Sequence, residues 1–409
     1  MSEIRPAEIP HDWKTYELGQ VASRVVRKNH VGNKNVLTIS AKHGLVSQEE
    51  YFQRRVASSD ARSYFLLDRG DFAYNKSYSE GYPAGVIRRL DRYDSGIVSP
   101  LYICFRPKSE VDSDFLAHYF ESGILNEDIL WVAKEGVRNH GLLNVKVSDF
   151  FSLPVHLPPI EEQRRIAEIL DTIDHEIQGS REVIAGLSRL ESGLTSELLT
   201  SASNTTASLE SLTESVLDGV HHTPTYTPSG IPFITVENLT RGPDISFSPC
   251  RYISTEDHRA FSRRIAPRAG DVLVSKDGTL GVARVVPDGA PEFSIFVSVA
   301  LLRPHAEKIS PDFLALFFDS HLFHSQLAAL SSGSGLKHIH LHEMKSFRVP
   351  LPPIAEQVRI LEKVEAARRV RRFENLQLSK LIAIKEGLAH DLLTGQVRVQ
   401  EAEAALAEI

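Results

Sequence analysis

The sequence predicts an α+β protein made of two similar halves. Each half is a mixed α/β domain followed by a long helix, and the two helices should form an antiparallel coiled coil. The first observation is a repeat: "LPPIEEQRRIAEIL" (157–170) recurs as "LPPIAEQVRILEKV" (351–364) with nine of fourteen positions identical. The second is a run of apolar residues spaced by three and four after each copy. The third is a set of short, Val- and Ile-rich segments before each copy, bounded by Gly, Pro or Asp, which are typical of strands.

The repeat extends well beyond these fourteen residues. At the same offset of 194, "GLLNVKVSDFFSLPVHLPP" (141–159) matches "GLKHIHLHEMKSFRVPLPP" (335–353), and "ELLT" matches "DLLT" near the helix ends. "RGDFAYNKS" and "DFLAHYFES" match "AGDVLVSKD" and "DFLALFFDS" at offsets of 200 and 198. Such small changes of offset indicate insertions and deletions in loops. The two halves therefore share one scaffold.

The helices should pair with each other along their apolar seams. About 40 residues of helix reach roughly 60 Å, too far for one small domain to cover, and an isolated helix with such a stripe would be unstable in water. Arg371 interrupts the second seam where the first has Ile177. The seam residues are Ile166, Leu170, Ile173, Ile177, Ile184, Leu187, Leu194 and Leu198, then Ile360, Val364, Ala367, Leu378, Leu381, Leu388 and Leu392. An intramolecular pseudo-twofold predicts an antiparallel pair.

The segment boundaries follow from these patterns. The stretch "TSASNTTAS" is uncharged and rich in Ser and Thr, as expected for a linker, and the final "EAEAALAEI" suggests one or two turns of frayed helix. We expect a first domain over 1–157, a long helix over 158–200, a linker over 201–208, a second domain over 209–350, a second long helix over 351–398 and a tail over 399–409.

Composition sets the class of protein. Hydrophobic residues make up 42% of the 409, enough for real cores, and no apolar run approaches 18 residues. The start lacks the features of a signal peptide, so we expect a cytoplasmic protein with Cys104 and Cys250 as reduced thiols. The net charge of −7 argues against a nucleic-acid partner. However, residues 158–200 carry 9 acidic and only 4 basic side chains, which leaves the domains near neutral.

Catalytic motifs are missing from the sequence. There is no P-loop, dinucleotide-binding fingerprint, nucleophile elbow or zinc-protease motif. The Pro-Pro pairs occur only in "LPPI", so the Asn/Asp-Pro-Pro-aromatic motif of a nucleotide methyltransferase is absent as well. Together these absences favour a binding protein.

Three histidines on alternate residues raise the possibility of a metal site. On a strand, His338, His340 and His342 would share a face and could ligate a metal. The matching positions of the first half are Asn144, Lys146 and Ser148. The shared architecture therefore does not need a metal there, and a solvated or phosphate-facing surface is the preferred interpretation.

Five polar loops form two sets, one in each half. They lie at 24–35, 75–85 and 135–141 in the first half and at 219–230 and 275–281 in the second. Taken singly, each is best interpreted as a solvated loop. Taken together, they could reach phosphates and base edges of a nucleic acid.

The whole chain resembles the specificity subunit of type I restriction-modification systems. The resemblance rests on the two "LPPI…EQ" helix starts, on "GLTSELLTS" and "GLAHDLLTG", and on "DGVHHTPTY", "GDFAYNKS" and "GDVLVSKDGTLG". It implies two target-recognition domains that each read half of a split DNA site. It also implies that the helices act as a spacer and dock partner subunits. Half-site centres about one turn of DNA apart would keep both domains on one side of the duplex.

The resemblance also implies the partners. They are double-stranded DNA with a bipartite site, two methyltransferase subunits, and restriction or translocase subunits. This chain would then be a non-catalytic subunit without a cofactor, metal or membrane of its own. S-adenosylmethionine, ATP and Mg would belong to the partner subunits.

Site residues can be named only where the patterns match. Lys76 and Lys276 match each other after "GD" and are the leading candidates for phosphate contacts. The predicted DNA-binding residues are Lys76, Ser77, Tyr78, Arg138, Asn139, His221, His222, Thr223, Lys276, Lys337 and His338. The predicted partner-binding residues are Pro158, Pro159, Glu162, Gln163, Pro352, Pro353, Glu356 and Gln357. For the partner-binding set, helix capping and seam packing are the alternative role.

Two other functions fit parts of the pattern. A coiled-coil scaffold without DNA binding predicts no sequence-dependent shift of DNA mobility. The recognition half of a split restriction-methylation enzyme would be disfavoured by a separately encoded methyltransferase nearby.

Overall fold

The computed structural model describes residues 9–40, 43–52, 61–78, 81–133, 141–202, 205–330 and 338–407. The chain forms two compact units. The first contains residues 1–180 and 377–409, and the second contains residues 181–376. Each unit thus combines one domain with part of both long helices.

The first domain contains small antiparallel sheets and short helices. Its elements are β1 (Lys14–Glu17), α1 (Leu18–Val21), β2 (Ala22–Arg24), β3 (Leu37–Ser40), β4 (Gly44–Ser47), α2 (Gln48–Phe52), β5 (Phe65–Asp68), β6 (Phe72–Asn75), β7 (Val86–Arg89), β8 (Ser95–Val98), β9 (Ile103–Pro107), α3 (Ser113–Glu121), α4 (Asn126–Val132), α5 (Val147–Phe151) and β10 (Pro154–Leu157). The largest sheet has the order β2-β9-β6-β7, and β1-β10, β3-β4 and β5-β8 form two-stranded sheets.

The core of this unit is aromatic. Phe72 and Phe105 stack at 5.3 Å between ring centroids, and Tyr74 stacks on Phe150 at 4.8 Å. Helix α3 begins after Asp112, whose carboxylate accepts hydrogen bonds from two backbone N–H groups of the first turn. The helix then buries Phe115 and its apolar neighbours in the same core. Each fully buried side chain of this size contributes roughly 1.5–3 kcal/mol.

The second domain repeats this plan. Its elements are β11 (Thr206–Ser208), α7 (Leu209–Leu212), β12 (Thr213–Asp218), β13 (Ile231–Ile234), α8 (Val236–Thr240), β14 (Arg251–Ile253), α9 (Thr255–Ser262), β15 (Val272–Ser275), β16 (Ala283–Val285), β17 (Ser294–Ile295), β18 (Val299–Pro304), α10 (Pro311–Phe318), α11 (His321–Leu330), α12 (Leu341–Ser346) and β19 (Arg348–Pro350).

The two largest sheets correspond strand by strand. The order β12-β18-β15-β16 of the second domain matches β2-β9-β6-β7 of the first, and β11-β19 matches β1-β10. Helix α10 matches α3, and its N-cap is Ser310 where α3 has Asp112. The predicted α+β repeat with mixed domains is confirmed.

The long helices are α6 (Ile160–Ser201) and α13 (Ile354–Thr394). In the first unit, Leu170 of α6 shares a core with Leu392 of α13. In the second unit, Leu199 of α6 shares a core with Ile360 and Val364 of α13. The start of each helix thus packs near the end of the other, which is the predicted antiparallel coiled coil. Within the described ranges, no helix combines the length and the apolarity needed to cross a membrane.

Two predicted segments differ in the structure. The end of the expected linker is strand β11, which pairs with β19. Part of the expected frayed tail is helix α14 (Val399–Ala407), which buries Val399 and Ala402 in the first unit's core. Both short segments acquire structure because they pair or pack with residues far away in sequence, which composition does not reveal.

Candidate nucleic-acid interface and docking helices

Two predicted loops of the first half meet in space. The N–H of Tyr78 donates to the carbonyl oxygen of Gly141 at 2.8 Å, and the N–H of Leu143 donates to that of Lys76 at 2.9 Å. The Ser77 hydroxyl bonds to Asn75 Oδ1 at 2.9 Å. The Tyr78 side chain is 55% exposed at this junction. The backbone thus fixes a polar platform from which an aromatic ring projects into solvent.

The second half repeats the junction with different side chains. The N–H of Ile339 donates to the carbonyl oxygen of Lys276 at 2.8 Å, and His338 bonds through Nδ1 to the carboxylate of Asp277. The repeated scaffold therefore joins the segment after β6 or β15 to the segment before α5 or α12 in each half. Three predicted DNA-binding residues, Arg138, Asn139 and Lys337, lie outside the described residues.

Lys276 differs from its predicted role. The residue is 2% exposed, and its Nζ lies 3.5 Å from a carboxylate oxygen of Asp218 and 3.8 Å from one of Asp277. A lysine that binds a DNA phosphate must bring its ammonium to the surface. The prediction that Lys276 contacts phosphate is therefore corrected, because a buried carboxylate engages its charge instead. Lys76, the matching residue, is half-buried.

Asp218 lies at the edge of a cavity of about 290 Å³ in the second domain. Its Oδ1 is 3.1 Å from His221 Nε2 and accepts a hydrogen bond from Arg264 Nη2 at 3.0 Å. Burial opposes ionisation, but the His221 hydrogen bond and the charges of His221, Lys276 and Arg264 hold the pKa of Asp218 below its ordinary value. The carboxylate is therefore an acceptor at neutral pH.

The mouth of this cavity carries both donors and an acceptor. The exposed ring of His222 lies edge-on to Phe261, with 5.5 Å between centroids, and the Arg264 side chain is 55% exposed. Thr223 follows on the exposed loop. Arginine suits the O6 and N7 acceptors of guanine, and the exposed Arg264 side chain is held here by the buried Asp218 carboxylate. The arrangement is chemically able to discriminate base edges.

The three histidines of the cluster do not lie on one strand. His338 lies in a β-bridge, while His340 is the N-cap of α12 and His342 lies within that helix. The described residues whose ligand atoms lie close enough for a metal are instead His118, Glu121 and Asp174. Asp174 there accepts hydrogen bonds from Lys385 at 2.6 and 2.7 Å, so a lysine ammonium already neutralises this group.

The glutamine of each "LPPI…EQ" motif is buried. Gln163 Oε1 accepts a hydrogen bond from the N–H of Asp112 at 2.9 Å, and its Nε2 donates to the carbonyl oxygen of Pro158 at 2.8 Å. In the second half, Gln357 makes the same two bonds to Ser310 and Pro352, both at 2.9 Å. Each amide thus ties the start of a long helix to the N-cap of α3 or α10.

Most of the predicted partner-binding residues consequently have internal roles. Burial of Gln163, Gln357, Pro158 and Pro352 removes them from any docking surface, which corrects that part of the prediction. Pro159 and Pro353 are exposed, and their carbonyl oxygens accept the first hydrogen bonds of α6 and α13. Glu162 accepts two hydrogen bonds from Arg398, and Glu356 accepts one from Arg359. Helix capping and packing, the alternative role given above, therefore describes these motifs better than partner binding does.

Exposed apolar side chains lie elsewhere on the long helices. On α13, Val370, Phe373 and Leu376 are 51%, 59% and 54% exposed. On α6, Val183 and Leu190 are 51% and 70% exposed. A grouped apolar surface of this kind marks an interaction site more often than isolated residues do. The sequence could have indicated this surface, because these apolar residues lie off the predicted apolar seam of each helix.

Two unlike polar surfaces on one repeated scaffold, joined by helices with exposed apolar side chains, define a recognition protein with two reading domains. The chain belongs to the type I restriction-modification DNA specificity family. The model of that family, described as a type I restriction modification DNA specificity domain, matches residues 10–187 and 223–382, more than four fifths of the chain. The predicted resemblance is confirmed, and the two matches coincide with the two halves.

Known proteins of this kind align along most of the chain. The putative type I restriction enzyme MjaX specificity subunit of Methanocaldococcus jannaschii is 20% identical, covering 96% of this chain and 95% of its own. The MjaVIII specificity subunit of the same organism is 21% identical, with 75% of each chain covered. A chain from a structural study of complex assembly and conformational transition of the type I R-M system matches with TM-score 0.63. It is 19% identical, and the match covers 96% of this chain and all of the other chain. The two chains are therefore similar in fold.

Proposed function

We propose that each domain reads one half of a bipartite DNA site and that the chain performs no covalent chemistry itself. The observation that carries this proposal is the combination of a repeated buried framework with unlike exposed loops. Gln163 and Gln357 make the same hydrogen bonds, whereas residues 76–78 and 276–277 differ in charge and exposure. A duplicated scaffold can present two different reading surfaces only if its buried framework is kept and its exposed loops differ.

The reading groups we propose are those that the structure exposes. In the first half they are Tyr78 with its neighbour Ser77. In the second half they are His221, His222 and Arg264 beside the Asp218 carboxylate. Exposed aromatic and cationic groups of this kind supply base-edge and phosphate contacts. Lys276 has the supporting role of neutralising the buried carboxylate of Asp218.

The helices are proposed to dock the catalytic partners. Two methyltransferase subunits would bind the exposed apolar side chains of α6 and α13, centred on Phe373 and Leu376, and restriction or translocase subunits would join them. Those partners would bring S-adenosylmethionine for methyl transfer to a flipped adenine, and ATP with Mg for translocation and cleavage. The repeated helix starts then serve to hold each helix against its domain.

The decisive test is the adenine-methylation pattern of DNA from cells carrying this gene with its methyltransferase, compared with cells lacking only this gene. We expect a split motif with two short specified halves that disappears on deletion. An unchanged pattern, combined with a purified complex that shows no sequence-dependent shift of DNA mobility, would favour the scaffold function.

Docking is tested separately with Phe373→Glu. The variant should lose most of its co-purification with the methyltransferase subunit, because a carboxylate cannot be buried in an apolar interface without a partner. Leu101→Glu is a matched control, since Leu101 is 60% exposed on a loop of the first domain. Full co-purification of Phe373→Glu would move the docking surface away from this part of α13.

A further inference from the structure

The two long helices contact each other through ion pairs that have the same polarity in both units. In the first unit, Lys385 of α13 donates to the carboxylate of Asp174 of α6 at 2.6 Å. In the second unit, Arg368 of α13 donates to the carboxylate of Glu191 of α6 at 2.9 Å, and Arg371 donates to the same carboxylate at 2.8 Å. In both units the acid comes from α6 and the base comes from α13.

These residues occupy equivalent positions in the repeat. Asp174 corresponds to Arg368, and Glu191 corresponds to Lys385, both at the offset of 194 that aligns the helices without a gap. The duplicated helices therefore carry opposite charges at the same two sites. The apolar seam residues, by contrast, are largely apolar in both copies.

The charge reversal matters because the two helices are otherwise similar enough to replace each other. If α6 paired antiparallel with α6 of a second copy in the same register, Asp174 would face Glu191, and this contact would occur twice. If α13 paired with α13, Lys385 would face Arg368 and Arg371. Like charges in direct contact are unfavourable, and here the groups are partly removed from water. Side chains of Glu191, Lys385 and Arg368 are only 14%, 21% and 28% exposed.

We propose that these charges form a pairing code. The code directs α6 to α13 and disfavours pairing of either helix with its own counterpart in a second copy of this chain. Charged residues flanking an apolar seam select partners in this way in coiled coils. The consequence is that two unlike domains remain together, whereas a pair of like helices would bring two identical domains together. This inference does not depend on what the domains bind.

The test uses full-length chains with recoded helices. The α6-recoded chain carries Asp174→Lys with Glu191→Lys. The α13-recoded chain carries Lys385→Glu and Arg371→Glu with Arg368→Gln, because Arg368 also bonds to the carboxylate of Asp319 and glutamine avoids a like charge there. A fully exchanged chain carries all five substitutions. The matched control changes charge away from the pairing contacts, with Glu168→Lys and Glu176→Lys on α6 or Arg369→Glu and Lys380→Glu on α13, all exposed positions.

Thermal unfolding and light scattering after gel filtration give the readouts. Each recoded chain should lose about 5 °C in Tm, whereas the exchanged chain should recover most of that loss and both controls should stay close to the parent. When the two recoded chains carry different tags and are expressed together, they should form a 1:1 complex, because every contact between chains is then complementary. Either recoded chain expressed with a second tagged copy of itself should show no such complex.

Two results would overturn the code. One is that recoded chains keep the Tm and mass of the parent and do not associate when mixed. The other is that the exchanged chain stays as unstable as the singly recoded ones, which would mean that each side chain depends on its local surroundings rather than on its partner's sign. If a recoded chain fails to fold alone, the exchanged chain and the co-expressed pair still decide between these outcomes.

Discussion

In the first half, the carboxylate of Asp71 accepts two hydrogen bonds from Arg106, at 2.6 and 2.9 Å; in the second, Asp271 accepts the same pair from Arg303, at 2.8 and 2.7 Å. Both aspartates are buried. The exposed loops share no such identity. Residues 219–230 of the second half carry His221 and lack lysine and arginine, whereas residues 24–35 of the first half contain both. The comparison teaches that duplication preserved the buried polar ties while the surfaces diverged.

The largest effect should come from these buried aspartates. Asp71→Ala and Asp271→Ala should each cost about 3 kcal/mol in the free energy of unfolding, because an arginine and a backbone N–H lose their acceptor. Chemical denaturation of the full chain measures the loss. The exposed Asp94→Ala is a control, because its ion pair with Arg69 lies at the surface. Very different losses at Asp71 and Asp271 would break the proposed equivalence of the halves.

The glutamine ties should have the next largest effect. Gln163→Ala or Gln357→Ala should each cost about 2 kcal/mol, since a partly buried N–H and a buried carbonyl oxygen lose their partner. Replacing the exposed Glu161 by Ala on the same turn should change the stability little. Chemical denaturation of the full chain measures the free energy of unfolding of the glutamine variants and of the Glu161 control. If Gln163→Ala left the free energy of unfolding unchanged, the hydrogen bond between Asp112 and Gln163 would be dispensable.

The surface residues should act on one half of the site only. Tyr78→Ala should weaken DNA binding of the assembled complex about 10-fold and relax one half of the methylation motif. His222→Ala should do the same for the other half. The methylation pattern and a binding titration at fixed salt check both. If both variants altered the same half-site, the assignment of one domain to each half-site would fail.

The smallest predicted effect is the pH dependence of the stability that Glu191 contributes to the contact between the helices. Burial opposes ionisation of Glu191, but hydrogen bonds from Arg371 and Arg368 hold its pKa below the ordinary 4.5. A lowered pKa stabilises the fold above pH 4.5, and that contribution is lost as the pH falls through the folded-state value. Glu191→Gln should therefore be about 1 kcal/mol less stable at pH 7, with the difference shrinking below pH 4.5. A difference that grows in acid would refute this role.

Sequence patterns predicted the scaffold well for a physical reason. Long apolar seams and repeated turn signals depend on local spacing, so the two domains, both helices and their antiparallel pairing could be anticipated. Side-chain roles could not be anticipated to the same degree. The burial of Lys276 depends on Asp218, 58 positions earlier, and the burial of Gln163 depends on the N-cap of α3. Neither neighbour can be inferred from the motif that contains the residue.

Arg398 has a consequence for the genetics of this protein. Its guanidinium bonds to Asp12 at 2.8 and 3.0 Å and to Glu162 at 2.8 and 2.9 Å, while the helix that follows packs on the first unit. A frameshift shortly before codon 398 would therefore behave as a lesion of the first domain. Such an allele should share the phenotype of mutations in the codons of the first domain rather than that of mutations in the second domain.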